Sequence, residues 1–133
     1  MDNCKLFLID DDSISLIITN KFLKRHEGFR ESDICYYAKP EEGLESVRKE
    51  LSNENINNFW ILLDINMPIM NGWDFLDGLQ GFNSEGRVKV IMLTSSINDE
   101  DRDMAKSYAS VIGFLSKPID EEKVKNVYEL INY

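Results

Sequence analysis

The chain has 133 residues, with 24 Asp+Glu against 15 Lys+Arg and a formal net charge of −9. That length is expected to form one compact domain over residues 1–133, without a DNA-binding output domain or a kinase domain. At 43% hydrophobic and 29% charged residues the composition is globular, not disordered, and an acidic chain without a basic block is a poor electrostatic partner for nucleic acid or an anionic membrane. The longest apolar runs, such as 6–9 and 59–63, fall far short of the roughly 20 residues that span a bilayer. No charged segment followed by an apolar stretch opens the chain, so a cytoplasmic location is expected. Cys4 and Cys35, the only cysteines, sit in or beside apolar runs and read as small buried hydrophobes.

Five strand-like runs alternate with five helical patterns. The first run, Lys5–Ile9, is followed by Ile14, Ile17, Ile18 and Phe22 at helical spacing, which predicts the first helix. After the second run, Ile34–Tyr37, Pro40 suits the first turn of a helix. Leu44, Val47 and Leu51 form that helix's stripe, and Gly43 is a mild weakness in it. The third run, Phe59–Leu63, has Trp60 near its start, an expected core residue. It leads to a helix capped by Asn71, with Phe75, Leu76 and Leu79 inward. The stretch from Gln80 to Arg87 reads as a loop. The fourth run, Val88–Leu93, precedes a helix that starts at Asn98 or Asp99 and has a thin apolar stripe of Met104, Ala105 and Tyr108. The fifth run, Val111–Leu115, precedes a helix that starts at Asp120-Glu121-Glu122, acids that suit a helix N-terminus. Its stripe is Val124, Val127, Tyr128 and Ile131. His26, the only histidine, reads as a surface or C-terminal cap group.

Strict alternation of strand and helix in one domain predicts an α/β fold, a doubly wound parallel sheet covered on both faces. Sites in such sheets lie at the carboxyl ends of the strands. There this chain places Asp10-Asp11-Asp12, then Asp64, then Thr94-Ser95-Ser96, then Ser116-Lys117-Pro118. Each alone reads as a cap, a turn or a solvated charge, and Asp12 is best explained as the cap of the first helix. Together they are chemistry. Converging carboxylates repel, so at least one should have a raised pKa unless a cation relieves it. Mg2+ prefers one or two carboxylates with waters and phosphate oxygens. An acidic nucleophile beside Mg2+, a lysine and a hydroxyl suits phosphoryl transfer to a carboxylate.

On LIDDDS at 8–13, LLDINMPIMNG at 62–72, MLTSS at 92–96 and GFLSKPI at 113–119, the chain resembles the receiver domain of two-component response regulators, over nearly its whole length. The resemblance implies a flavodoxin-like five-stranded sheet in the order 2-1-3-4-5. It implies that Asp64 is the phosphoacceptor and that Thr94 and Lys117 meet the phosphoryl group. Mg2+ would be held by Asp11, Asp64 and the backbone carbonyl of Asn66, with Asp10 acting through a water. Met67-Pro68 and Gly72 would form the turn that holds Asp64, and the Lys117–Pro118 bond would be cis. The donor would be a sensor histidine kinase or a histidine phosphotransfer protein. Phosphorylation would move Thr94 and Phe114 and switch the face of the fourth helix, fifth strand and fifth helix for an unnamed protein target. The protein would be a stand-alone phosphoprotein, a monomer or a phosphorylation-dependent dimer. It would catalyse its own phosphorylation and slow dephosphorylation, not a conventional turnover reaction.

There are three departures from the family pattern, the last at a pair of positions. Ser95 stands where Ala is commoner, and Phe114 replaces a frequent Tyr. Asn66 and Ser96 hold the two positions that tune phosphate lifetime, and without an acid or long amide at Ser96 slow self-dephosphorylation is expected. The alternative within the fold is a phosphorylation-independent interaction module, which typically lacks one of the site residues present here. A flavin site would need a Ser/Thr/Gly-rich loop where this chain has acids. An aspartate-nucleophile phosphatase would need an acid where Asn66 stands.

Overall fold

The computed structural model describes residues 4–53, 58–82, 86–95 and 97–132. The expectations placed on Ser96, on the side chain of Cys4 and on residues 83–85 of the 80–87 loop lie outside the described residues. The elements run β1 (Cys4–Ile9), α1 (Ser13–Arg25), β2 (Asp33–Tyr37), α2 (Pro40–Leu51), β3 (Asn58–Asp64), α3 (Gly72–Leu79), β4 (Val88–Thr94), α4 (Asp99–Ala105), β5 (Val111–Ser116) and α5 (Glu121–Ile131). The strands form one parallel sheet in the order β2-β1-β3-β4-β5, the flavodoxin-like arrangement. The continuously apolar runs β1, β3 and β4 are its interior strands, as burial of both sheet faces requires. Among the described residues, no helix is long and apolar enough to cross a membrane.

Alternate residues of each strand feed two apolar layers. One joins Phe7, Ile9, Ile61 and Leu63 with Val47 of α2 and Phe75 of α3. The other joins Leu6, Leu8, Leu62 and Leu93 with Leu23 of α1 and Val124 and Val127 of α5. Short polar side chains start most of the helices. Asp12 accepts hydrogen bonds from the N–H groups of Ile14 and Ser15. Asn71 and Asp74 form a reciprocal capping box on α3. Asn98 caps α4, Asp120 caps α5, and Pro40 occupies the first turn of α2.

The structure corrects several packing expectations. The apolar repeat that marks α1 in the sequence faces largely outward: Ile14 is 69% exposed and Ile17 64%, Ile18 is exposed and Phe22 half-buried. The buried residues of α1 are Leu16, Thr19 and Leu23. Positions 14, 17 and 18 and positions 16, 19 and 23 are both helical stripes, so periodicity alone could not choose between them. The tertiary packing chooses the second, which joins the layer containing α5. Gly43 is no mere weakness, because a Cβ there would lie 2.5 Å from Ile9 Cδ1, so its absence lets α2 approach β1. Trp60 is half-buried, not a core residue. Tyr128 is exposed at one edge and packs on His26 and Phe29, with ring centroids 4.8 and 5.6 Å away. His26 does cap α1, and its Nδ1 accepts a hydrogen bond from the Gly28 N–H. Cys35, on the edge strand β2, is half-buried against the core. No residue of α4 is buried, and Tyr108 lies beyond its end. The apolar contacts expected of that helix are made by the turn that follows it.

The choice of buried face on α1 has a measurable consequence. Leu23→Ala should cost about 2–5 kcal/mol of stability, whereas Ile17→Ala should change it by less than about 0.5 kcal/mol. Urea denaturation of the two variants checks this, and equal losses would restore the isoleucine face as the buried one.

Candidate functional site

The strand register brings the predicted residues to one edge. Ile9 pairs with Leu63, so the next residues, Asp10 and Asp64, leave adjacent strands at the same level. On the other side, Asp64 pairs with Leu93 and Thr94 pairs with Ser116. The ladder continues one residue past β1, β3 and β5. The Asp10 N–H donates to the Tyr37 carbonyl at 3.2 Å, Ile65 to Leu93 at 2.9 Å and Lys117 to Thr94 at 2.8 Å. These bonds fix the backbones from which the functional side chains project.

Asp10 and Asp64 are buried, Asp64 with only 4% of its surface exposed, while Asp11 stands in solvent. Lys117 reaches both buried acids, its Nζ 2.7 Å from Asp10 Oδ2 and 3.2 Å from Asp64 Oδ2. Lys117 is thus shared between the two acids, and Asp10 is the closer partner. Asp10 Oδ1 also accepts from the Asp12 N–H at 3.0 Å, and Asp64 Oδ1 from the Asn66 N–H at 3.3 Å. Burial pushes the Asp64 carboxyl up to about 7, the charge of Asp10 adds to this, and Lys117 only partly offsets it. Burial pulls the Lys117 ammonium down, but the hydrogen bond and charge of Asp10, then of Asp64, hold it above the usual lysine value.

The loop after β3 is built for close approach. The Gly72 N–H donates to the Ile65 carbonyl at 2.8 Å. A Cβ on Gly72 would lie 2.8 Å from the backbone oxygen of Asp64 and 3.0 Å from Ile65 Cα, so only glycine lets α3 start there. Ile69 takes φ 70 in the same loop and is 94% exposed. A β-branched residue in that region is strained, and nothing in the sequence pattern signals it. The Lys117–Pro118 bond is cis.

One oxygen from each of Asp10, Asp11 and Asp64 can be chosen so that all three lie within 4.8 Å of one another. An all-oxygen set of carboxylates, one of them with its pKa raised to about 7 chiefly by burial and then by the charge of Asp10, fits a hard divalent cation such as Mg2+. Thr94 is buried at the end of β4, Asn66 is exposed, and Phe114 is half-buried on β5, paired with Met92. Phe114 shares its layer with Trp73 and Tyr108. The sequence did not reveal that those two rings stack, 5.5 Å apart at 25°. Nor did it reveal that the Tyr108 hydroxyl donates to Asp77 Oδ1 at 2.6 Å, a bond that, with burial, pushes the phenol up to about 12. Residues 31 apart in sequence carry no local signal of such a contact.

A family model described as the response regulator receiver domain matches residues 6–129. A two-component response regulator from Cytophaga hutchinsonii is 26% identical, with all of both chains covered and a TM-score of 0.81. The chemotaxis protein CheY4 of Vibrio cholerae has the same fold at 22% identity, with 95% of this chain and 96% of that one covered and a TM-score of 0.73. Among curated proteins, the probable transcriptional regulator ycf29 of Porphyra purpurea is 34% identical over 74 residues. That match covers 55% of this chain and about a third, 34%, of the relative's length.

The raised Asp64 pKa sets a pH dependence. An acid whose pKa rises on folding from 3.8 to about 7 stabilises the fold in its protonated form, so its contribution is lost as pH climbs through that range. In metal-free buffer, Asp64→Asn should therefore be more stable than wild type at pH 8, and the difference should shrink at pH 5. Adding Mg2+ at pH 8 should stabilise wild type more than the variant. Denaturant titrations at the two pH values, with and without Mg2+, check both statements.

Proposed function

The chain belongs to the response regulator receiver domain family, and on that premise we propose that it accepts a phosphoryl group on Asp64 from a phosphohistidine protein in a Mg2+-dependent reaction. One observation carries this reading: Asp64 is a buried carboxylate at the open edge of the sheet, with Lys117 at 3.2 Å and two further acids beside it. Asp11, Asp64 and the backbone carbonyl of Asn66 would hold Mg2+, with Asp10 contributing through a water. When bound, Mg2+ supplies charge neutralisation for the phosphoryl oxygens.

The chain's own residues do the rest. The ionised Asp64 carboxylate attacks phosphorus in line. An O–P bond forms as the N–P bond of the phosphohistidine breaks, and the electron pair leaves on the imidazole nitrogen. Lys117 favours the ionised form of Asp64 and follows the charge onto the phosphoryl group. The Thr94 hydroxyl donates to a phosphoryl oxygen, and Phe114 moves inward behind it. The face made of α4, β5 and α5 then presents its second conformation to a protein target. That α4 buries none of its residues fits an element that moves. The acyl phosphate then hydrolyses slowly, without turnover of any other substrate. The exposed Ile14, Ile17 and Ile18 begin two residues past Asp12 on α1, and would give a protein donor an apolar footing.

Incubation with Mg2+ and acetyl phosphate should add one phosphoryl group to wild type by intact-mass analysis, and Asp64→Asn should abolish it. No adduct on wild type would favour a phosphorylation-independent interaction module. Ile17→Glu should slow transfer from a phosphohistidine protein far more than from acetyl phosphate, as measured by comparing initial rates with the two donors. Equal slowing would remove α1 from the donor interface.

A further inference from the structure

The first turn of α5 breaks a local rule. After Asp120, Glu121 and Glu122 it places Lys123 at the third helical position, where the N-terminal end of the helix dipole disfavours a cation. The backbone there is already satisfied, because the Lys123 N–H donates to Asp120 Oδ1 at 2.9 Å. The side chain has a different use. Its Nζ donates to the Ser116 carbonyl at 2.7 Å and to the Pro118 carbonyl at 2.9 Å.

Those two carbonyls flank Lys117. Ser116 ends β5, an edge strand with a neighbour on one side only, so the sheet cannot supply donors to the outer side of this turn. Lys123 supplies both from α5. From the inner side, the Lys117 N–H donates to the Thr94 carbonyl at 2.8 Å. The backbone around Lys117 is thus held at three points by two different elements, before its side chain reaches Asp10 and Asp64. The half-buried Lys123 side chain is spent on backbone carbonyls at a helix end whose dipole disfavours a cation, a use that capping by Asp120 does not require. Local rules are broken in this way where a site needs a group held in place.

We infer that Lys123 is a positioning residue: it clamps the 116–118 turn so that the Lys117 ammonium is aimed at Asp64 and at the phosphoryl group Asp64 receives. The second half of this statement rests on the function proposed above. The first half does not.

The test uses the full chain with 15N-labelled lysine. In wild type the Lys117 ammonium should give a slowly exchanging signal, assigned by its loss in Lys117→Met. Lys123→Met should speed hydrogen exchange at that signal or broaden it away, and Lys123→Arg, which can still bridge two carbonyls, should keep it. The initial rate of phosphorylation by acetyl phosphate should fall about tenfold in Lys123→Met, as loss of two charge-assisted hydrogen bonds implies. Lys123→Arg should largely restore the rate. In a Lys117→Met background, Lys123→Met should have no further effect. An unchanged Lys117 signal in Lys123→Met, an equal rate loss in both backgrounds, or failure of Lys123→Arg to rescue would each overturn the proposal. If wild type takes no phosphoryl group, the proposed function fails, and the ammonium signal alone still decides whether Lys123 positions Lys117. Should Lys123→Met not fold, Lys123→Gln, which can reach at most one of the two carbonyls, serves in both measurements and should weaken each.

Discussion

The interaction on which the rest of the structure depends is the buried triad of Asp10, Asp64 and Lys117. Two carboxylates taken out of water on adjacent strands repel each other, and a single ammonium cannot neutralise both. The fold spends its most ordered parts on tolerating this. The interior strands β1 and β3 bring the acids level, and ladder bonds carried past the strand ends fix their backbones. Gly72 lets α3 begin against the Asp64 carbonyl, where any side chain would collide. The outcome is an Asp64 carboxyl that burial, and then the charge of Asp10, hold protonated up to about 7. A divalent cation or the oxygens of an incoming group coordinated to one would relieve the repulsion, so the strain of the resting site and its proposed chemistry have one source.

Anchoring is uneven around that site. The sheet and the helices α2 and α5 bury continuous apolar stripes. α4 buries nothing, and the turn after it is tied to α3 through the Tyr108 ring on Trp73 and the Tyr108 hydroxyl on Asp77. Phe114 lies in the same apolar layer as those rings. The tie to α4 is therefore made of a few polar and aromatic contacts next to the proposed switch residue, and it can be exchanged at lower cost than the packing of a core helix.

The parts of the structure that were legible from sequence are those governed by short-range rules. Runs of apolar residues became β1, β3 and β4 within a residue or two of their expected ends, because a strand covered on both faces has no other composition. Asp12, Asn71, Asn98 and Asp120 cap helices, because a short oxygen-bearing side chain at that point satisfies backbone N–H groups whatever surrounds it. What failed did so for an equally physical reason. α1 carries two apolar stripes, and which one is buried depends on where α5 and the sheet lie. Gly43 reads as a flaw in a helix until Ile9 is seen against it. Trp60, as bulky as any core residue, stops half-buried where its strand begins.

By itself, then, the sequence determined the order of strands and helices, the caps, the family, and the placing of four chemically distinct groups at strand ends. Those follow from periodicity, local hydrogen bonding and motif, all of which act over a few residues. Only the tertiary structure decided which face of α1 is exposed, that Lys117 sits closer to Asp10 than to Asp64, that Tyr108 reaches Asp77, and that Lys123 holds the carbonyls on either side of Lys117. Each of these is a distance between groups on different elements. Such distances are set by the register of the sheet and the packing of helices on it, which no local pattern encodes.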